Sequence, residues 1–287
     1  MKPLFRYRFV CLVSVLALNE QARASTPEPT TQRDLIVGIS WTVGSEVPQE
    51  KAATIDRFET DLAIAVARTQ GRHLIFRLGP LDQLLHELGA GRIDFMPGLA
   101  RTAERQKSLD FSVPHSRLNT NLFVRRGDAS ITSADNLVGK KIIVIRESYS
   151  HEWATQKGFA PQIILVADLK EGIQRLAAGE GDCLLAQQIN IFAAMQAAGI
   201  NNIEARGTPV ADLIQDMCIA VRAGNRDLLA QLNEGLFQLK QTGELDRIFE
   251  KWLGLLEPSD VKRARLVRNL GIGGAFFIIG GAFVWLA

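Results

Sequence analysis

The segment GRIDFMPGLARTAERQKSLDFSVPH, residues 91–115, combines a buried strand, a turn, an arginine and a hinge. The apolar run RIDFM predicts a strand, and Gly98 predicts a turn directly after it. Arg105 follows within a polar stretch, and Pro114-His115 precedes the next apolar run. This order is typical of an α/β lobe that ends in a crossing strand.

Outward from this segment, the preceding residues alternate between strand and helix patterns. LIVGIS (35–40) and HLIFRL (73–78) predict buried strands, and apolar residues at helical spacing predict two helices. The first helix carries Phe58, Leu62 and Val66, and the second carries Leu81, Leu84, Leu85 and Leu88. The alternation favours an α/β lobe with a parallel sheet.

The same alternation repeats after residue 120. The predicted strands are NLFVRR (121–126), KKIIVI (140–145), QIILV (162–166) and DCLLA (182–186). Helices are expected from near Tyr149 and through Leu169, Ile173 and Leu176. The run 217–254 then returns to the first lobe, with Leu229, Leu232 and Leu236 on one helical face. A second α/β lobe follows from this pattern.

These motifs resemble the family 3 extracellular solute-binding proteins over about residues 34–254. In that family, G-[KR]-[VI]-D precedes G-x-T-x-T-x-E-R and D-F-S-x-P-Y, and the terminal helices read G-N-x-x-L-L and x-I-x-x-K-W-x-G. The resemblance implies a two-lobed periplasmic-binding-protein fold of type II with two crossover strands. Lobe 1 would comprise about 34–114 and 218–254, and lobe 2 about 120–214.

The N-terminus has the pattern of an export signal over residues 1–24. Lys2, Arg6 and Arg8 precede the apolar stretch Phe9 to Leu18, and Ala22-Arg23-Ala24 is a small-x-small cleavage site. An uncleaved anchor is the alternative, although the apolar run is shorter than the roughly 20 residues that span a bilayer. We therefore expect the body of the protein in the periplasm.

The C-terminus predicts a transmembrane helix over residues 269–287, a stretch without charge. The linker before it, 255–268, is basic and includes Lys262, Arg263, Arg265 and Arg268. Basic residues usually lie on the cytoplasmic side, which conflicts with an external domain, but large domains translocate largely regardless of such charge. The expected location is a periplasmic domain anchored in the bacterial inner membrane.

Composition excludes several classes of function. The formal net charge of +2 is too small to indicate a nucleic-acid partner. The histidines lack metal-ligand spacing, and no cofactor motif or catalytic arrangement is present, so neither a metal, a cofactor nor an enzyme is expected. His115 stands where the family often has tyrosine, which suggests a hinge or the edge of the cleft. Cys183 and Cys218 fall in apolar runs typical of buried free thiols.

The resemblance assigns ligand contacts in lobe 1 to Arg105, Gly98 and Ala100. The arginine of T-x-x-E-R forms a bidentate pair with the ligand carboxylate in amino-acid-binding relatives. The backbone carbonyl at Gly98 commonly meets the ligand amine. Ala100 replaces the usual threonine and removes one hydroxyl from the site.

In lobe 2, the resemblance points to the segment Arg146 to Ser150. Here Ser148-Tyr149 stands where a Gly-Thr pair is usual, so Tyr149 would stack on the ligand or partly close the cleft. Backbone N–H groups of Tyr149 and Ser150 would hold a carboxylate, the alternative being an ordinary helix cap by Ser148 or Ser150.

Two departures from the family concern negative charge. Gln187 stands where amino-acid-binding relatives have an aspartate that pairs with the ligand ammonium. Ser40 and Trp41 replace an acidic residue common after the first strand, and Trp41 either walls the cleft or packs within its loop. A carboxylate or other small anion is therefore expected to fit better than an ordinary α-amino acid, unless Glu46 or Glu59 restores the charge.

Within the family, the sequence most resembles the domains fused to bacterial sensor histidine kinases and diguanylate cyclases. The expected function is membrane-tethered binding of a small-molecule solute as a sensory input, with a kinase or cyclase partner. An alternative is the substrate-binding component of an ABC transporter for polar amino acids or organic acids, with a permease partner. A few relatives are enzymes, which is the least favoured alternative.

Overall fold

The computed structural model describes residues 33–41 and 54–253. Within them, ten strands are β1 Leu35–Ser40, β2 Leu74–Gly79, β3 Phe95–Ala100, β4 Leu109–Phe111, β5 Ser116–Arg125, β6 Ile142–Ile145, β7 Ile163–Val166, β8 Cys183–Gln187, β9 Ile203–Arg206 and β10 Ile214–Arg222. Seven α-helices are α1 Thr54–Arg68, α2 Leu81–Gly89, α3 Tyr149–Gln156, α4 Leu169–Ala177, α5 Gln188–Ala198, α6 Arg226–Gln241 and α7 Glu244–Trp252.

The strands form two groups, which we call lobe 1 and lobe 2. In lobe 1, β1 pairs in parallel with β2 and β3, while β10 runs antiparallel to β3 and β4. In lobe 2, β6 pairs in parallel with β7 and β8, while β5 runs antiparallel to β8 and β9. Helices pack over the apolar strands of both groups, as expected for α/β lobes.

Two long strands, β5 and β10, join the lobes. Residues 116–119 of β5 pair with residues 214–217 of β10, whereas the rest of β5 pairs within lobe 2. The rest of β10 pairs within lobe 1. This antiparallel pair therefore supplies the two crossovers that the sequence predicted, and the α/β periplasmic-binding-protein fold is confirmed.

The predicted third strand is displaced along the chain. The sequence predicts a strand over RIDFM (92–96), but β3 runs from Phe95 to Ala100. Arg92 N–H donates to the carbonyl of Glu87 at 2.9 Å, which continues the turn after α2. The backbone N–H of Asp94 donates to the Ile36 carbonyl, and the Asp94 carboxylate accepts from the Ile36 N–H, each at 2.8 Å. Tertiary contacts therefore keep residues 92–94 out of the regular strand.

The helix through residue 236 buries a slightly different face from the expected one. Leu228, Leu232, Leu236 and Leu239 are buried on α6, whereas Leu229 is only partly buried. The remaining predicted strands and helices are present, with ends that shift by one to a few residues.

Three predicted segments lie outside the described residues: the export signal (1–24), the basic linker (255–268) and the transmembrane helix (269–287). Among the residues that the structure does describe, no helix has both the length and the apolar character needed to cross a bilayer.

Candidate functional site

A cavity of about 130 Å³ lies between the two lobes. Lobe 1 contributes the end of β1, part of α1 and the end of β3, and lobe 2 contributes the starts of three helices. The crossover strands contribute Thr120, Gln215 and Met217. The carboxyl ends of the parallel strands β1, β6, β7 and β8 thus meet at this cavity, where ligands of open α/β sheets bind.

Eight of the nine residues predicted to contact a ligand line this cavity: Ser40, Trp41, Gly98, Ala100, Arg105, Tyr149, Ser150 and Gln187. Arg146 is the exception, because its side chain is about half exposed and its Nη1 lies 3.3 Å from Asp82 Oδ2. That ion pair joins α2 of lobe 1 to the turn before α3 of lobe 2. In this structure Arg146 makes an exposed contact between the lobes, and its expected contact with a ligand stays a prediction.

Arg105 is buried at the cavity wall with 7% of its surface exposed. Its Nη1 donates to the Ala100 carbonyl at 2.9 Å, and its Nη2 donates to the Glu147 carbonyl at 2.6 Å. Its Nε lies 3.1 Å from Oε1 of Glu152. Burial lowers the pKa of the guanidinium from its ordinary value, while Glu152 and Glu147 oppose that shift. Arg105 therefore links lobe 1 to the start of α3 in lobe 2.

The carbonyl that meets Arg105 comes from a residue with unusual backbone geometry. Glu147 has φ of +57°, the left-handed region that a residue with a Cβ adopts at a cost of roughly 1 kcal/mol. Its backbone N–H donates to Nδ1 of His151 at 3.2 Å. This conformation directs the Glu147 carbonyl at the guanidinium, so strain in the turn is coupled to the contact between the lobes.

Three helices of lobe 2 begin at the cavity. Their first residues include Tyr149 and Ser150 of α3 and Leu169 of α4, and Gln187 and Asn190 lie at the start of α5. Ser148 caps α3 by accepting from the N–H of His151 at 3.2 Å, so the ordinary cap is the role the structure gives its hydroxyl. Helix N-termini present a positive dipole end and unpaired N–H groups, which favour an anionic group.

Tyr149 lines the cavity from lobe 2. Its hydroxyl donates to the carbonyl of Asp212 at 3.0 Å, close to the start of β10. Burial raises the pKa of the phenol, with smaller contributions from Glu152 and Asp212. This hydrogen bond lies within lobe 2, and both roles expected from the sequence, stacking on the ligand and partial closure of the cleft, stay predictions.

Uncharged polar groups at the base of the cavity were not found by sequence reasoning. Gln215 Nε2 donates to Thr120 Oγ1 at 3.3 Å, and Asn190 Nδ2 donates to Gln187 Oε1 at 3.1 Å. Asn190 is 8% exposed, and its Oδ1 has no hydrogen-bond partner within the described part of the chain. Polar residues inside otherwise apolar strand patterns were the available signal, but the pairing of β5 with β10 was needed to interpret it.

Glu59 of α1 is a buried carboxyl group in the cavity wall, with 6% of its surface exposed. A Cβ added at Gly98 would lie 2.1 Å from Glu59 Oε1, so the carboxyl occupies the space that a side chain at 98 would need. Burial raises the pKa of Glu59 well above its ordinary value, and Asp56 adds to the shift. The glycine at position 98 is thus required by the position of this carboxyl group.

His115 lies at the start of the first crossover strand. Its Nε2 is 2.8 Å from the Pro97 carbonyl, its Nδ1 is 3.2 Å from Ser116 Oγ, and its ring is 5.8 Å from that of Phe58. Burial lowers its pKa to about 4, although the Pro97 carbonyl opposes the shift. The neutral imidazole therefore joins the start of the first crossover strand to β3, and its role at the hinge or at the edge of the cleft stays a prediction.

Within residues 33–41 and 54–253, the structure contains no cluster of three or more His, Cys, Asp or Glu side chains that could hold a metal ion. Cys183 and Cys218 are buried free thiols, and burial raises their pKa values to about 12 and about 11.

Comparisons with known proteins agree with this geometry. Residues 45–255 match the family model described as bacterial extracellular solute-binding proteins, family 3. The L-cystine-binding protein TcyJ of Escherichia coli K12 is 28% identical over 248 residues, which cover 85% of this chain and 92% of TcyJ.

Two solved structures extend the comparison. A histidine kinase sensor domain with similarity to periplasmic binding proteins has a TM-score of 0.71 and 27% identity, covering 77% of this chain and 96% of that one. An ancestral arginine-binding protein bound to arginine has a TM-score of 0.67 and 28% identity, covering 77% and 98%. The similar proteins thus include binding proteins for L-cystine and arginine and a sensor domain of a histidine kinase.

Proposed function

This chain belongs to the bacterial extracellular solute-binding proteins of family 3, and from that premise we propose that it binds a small carboxylate or other small anion between its lobes as a sensory input domain. The observation that carries the proposal is the buried guanidinium of Arg105 in the wall of the cavity. The proposed domain division is lobe 1 at 34–114 and 218–254 and lobe 2 at 120–214.

Charge and hydrogen-bonding capacity at the cavity support an anionic group. A guanidinium has five N–H donors; in Arg105, Nη1 and Nη2 each donate one hydrogen bond, and Nε lies 3.1 Å from Glu152 Oε1 without a hydrogen bond among the described residues. The N-termini of α3, α4 and α5 add backbone donors from the opposite lobe. A solute carboxylate would therefore contact both lobes at once and favour the arrangement in which they are close together.

The contact with Glu152 gives this binding a competitor within the chain. Glu152 is 15% exposed and supplies the carboxylate beside Arg105 in this structure. A solute carboxylate would share the guanidinium with Glu152 or replace it. Binding would then change the contact between the lobes, which is the differential interaction that a two-state movement requires.

A sensory role is supported by two features. One is the structural similarity to a histidine kinase sensor domain, and the other is the uncharged segment 269–287, whose sequence predicts a membrane helix. We propose that this segment anchors the domain on the periplasmic face of the inner membrane and passes lobe movement to a kinase or cyclase. A variant ending at residue 268 should lose membrane retention if this is so.

Delivery of solute to a permease is the second candidate function. It is favoured by the similarity to the L-cystine-binding protein TcyJ over most of both chains. Co-purification of the full chain with a permease would support delivery, whereas solute-dependent activity of a kinase or cyclase would support sensing.

The experiment that tests the binding proposal uses the full chain in mild detergent. Calorimetric titration with organic acids, amino acids and inorganic anions should identify a ligand whose affinity falls at least 100-fold in Arg105→Met. A ligand at 100 times its dissociation constant should also stabilise the protein by about 2.7 kcal/mol.

Arg146→Met is the matched control, because that arginine lies outside the cavity and pairs with Asp82. It should leave the affinity within about twofold of the wild type. Equal affinities in wild type and Arg105→Met would contradict the proposal, provided that both variants show the same circular dichroism spectrum.

A further inference from the structure

Glu59 is a carboxyl group whose position in the cavity wall has no partner to account for it. It lies on α1 with 6% of its surface exposed, and within the described residues it has no hydrogen bond or ion pair. Buried carboxyl groups are rarely left without a donor, because the loss of hydration is costly. A donor supplied from outside the chain would remove this cost.

The cations near Glu59 in sequence and in the cavity are engaged elsewhere. Arg105 contacts Ala100, Glu147 and Glu152. The guanidinium of Arg57, two residues before Glu59, lies 5.5 Å from the centre of the Trp252 ring. On the same helix, Asp56 carries a charge of the same sign as ionised Glu59 and raises the Glu59 pKa. Within residues 33–41 and 54–253, no positive group pairs with Glu59, so a cationic group of a solute would be favoured beside it.

Gly98 keeps the carboxyl group accessible to the cavity. A methyl group at this position would overlap Glu59 Oε1, since the two would lie 2.1 Å apart. Both residues line the cavity, so the carboxyl group lies over a backbone without a side chain, beside the space that a solute would occupy.

We propose that Glu59 is the residue that selects solutes bearing a protonated amine or amidinium group. The inference rests on the proposed function, because the same solute would present its carboxylate to Arg105. The cavity of about 130 Å³ restricts such a solute to a small one. Gln187 leaves the lobe 2 side of the cavity uncharged, so the negative charge that meets the solute is on lobe 1.

The inference revises the expectation drawn from Gln187. An amine-bearing carboxylate fits as well as a simple carboxylate once Glu59 is included in the site. Of the two acidic residues left open by the sequence, Glu59 lies in the cavity wall, and Glu46 lies outside the described residues.

The test compares matched amino and hydroxy acids by calorimetric titration of the full chain: L-alanine with L-lactate, L-serine with L-glycerate, and L-glutamate with L-2-hydroxyglutarate. In the wild type, the amino acid of at least one pair should bind at least tenfold more tightly than its hydroxy partner. Glu59→Gln should reduce that ratio at least tenfold, with the change confined to the amino acid.

Glu234→Gln is the control variant, because this exposed glutamate lies on α6 and bonds only to Gln238 among the described residues. It should leave the ratio unchanged. Circular dichroism and thermal melting of Glu59→Gln establish that a lost ratio is not caused by unfolding.

The other outcomes separate the two proposals. If hydroxy acids bind as well as or better than amino acids, or if Glu59→Gln leaves the ratio intact, the role of Glu59 is overturned and carboxylate binding stands. If no member of any pair binds the wild type, and the wider set of acids and anions also fails, both proposals are overturned.

Discussion

The two walls of the cavity use different chemistry. The lobe 1 wall carries the ionisable side chains Arg105 and Glu59, both less than a tenth exposed. The lobe 2 wall carries helix N-termini and the uncharged side chains Ser150, Gln187 and Asn190. A solute in this cavity would therefore face ionisable side chains on one lobe and backbone dipoles with neutral polar groups on the other.

Because of this difference, we expect the two lobes to have different roles in solute binding. We expect Arg105 and Glu59 of lobe 1 to select the solute, and the contacts of Arg105 with Glu147 and Glu152 of lobe 2 to change as it binds. Neutral dipoles on the other lobe allow closure around the selected solute without a second fixed charge. Glu152 is the exception on lobe 2, since its carboxylate lies beside Arg105 in the present structure.

The largest expected effect comes from breaking the Arg105–Glu152 contact. Glu152→Gln removes the carboxylate beside a buried guanidinium and should cost about 3 kcal/mol of stability without solute. Because Arg105 is then without its internal competitor, carboxylate affinity should rise about tenfold. Urea unfolding with and without solute measures both quantities.

Asp82→Asn is the matched control for that experiment. It breaks the more exposed contact between the lobes, Asp82 with Arg146, and should change stability by less than about 1 kcal/mol. A Glu152→Gln variant that lost both stability and affinity would instead mean that Glu152 orients Arg105 for the solute.

The next effect concerns the hinge between the two walls. The His115 pKa is lowered to about 4, whereas an unfolded histidine titrates near 6.5. As the pH falls from about 6.5 to 4, the unfolded chain binds the proton first, so the folded state should lose up to about 3 kcal/mol, with no further loss below pH 4. Urea unfolding across this range measures the slope.

His115→Gln should remove that part of the slope, and His73→Gln, which changes an exposed imidazole, should retain it. An unchanged slope in His115→Gln would show that the acid sensitivity originates from carboxyl groups elsewhere.

A smaller effect tests whether the negative charge can be moved from one wall to the other. Gln187→Asp, placed in the Glu59→Gln background, should restore about tenfold in affinity for an amine-bearing solute. The starts of α3, α4 and α5 would stabilise the new carboxylate. Calorimetric titration of the single and double variants measures the affinity for this solute. Gln187→Glu is the control for side-chain length. No recovery in the double variant would indicate that the amine binds only beside lobe 1.

The smallest expected effect is on stability without solute. Burial and Asp56 raise the Glu59 pKa, so the folded state is penalised as the pH rises above the ordinary carboxyl value and the unfolded chain ionises first. Glu59→Gln should therefore melt about 2–4 °C above wild type at pH 8, the shift that 1 kcal/mol gives at this size. The difference should disappear near pH 4.5, as thermal melts across pH would show. A difference in melting temperature that stays constant with pH would mean that ionisation of Glu59 does not affect the free energy of unfolding.

Much of the fold could be predicted because its signals are local. Strands such as β1 and β8 are short apolar runs, and α1 and α4 repeat apolar residues at helical spacing. The start of β3 could not be placed, because Asp94 is held by the backbone of Ile36, 58 residues earlier. A bond of that kind leaves no periodic signal.

The candidate site divides in the same way. Motif order was sufficient to nominate Arg105, Gly98 and Gln187, and these residues do line one cavity. Motif order gave no reason to expect Glu152 beside Arg105, or a strained Glu147 carbonyl as a further partner. Those contacts join residues more than 40 positions apart, and they exist because closure brings the turn before α3 against lobe 1.

By itself, the sequence determined the two α/β lobes, the crossovers between them and the arginine of the site, since each depends on neighbouring residues or on motif order. Tertiary structure alone decided which charges meet. It paired Arg105 with Glu152, placed Arg146 at the surface and left Glu59 in the wall without a partner among the described residues. The physical reason is that the energy of a charge depends on its burial and on neighbours from distant parts of the chain, and these are set only when the lobes pack.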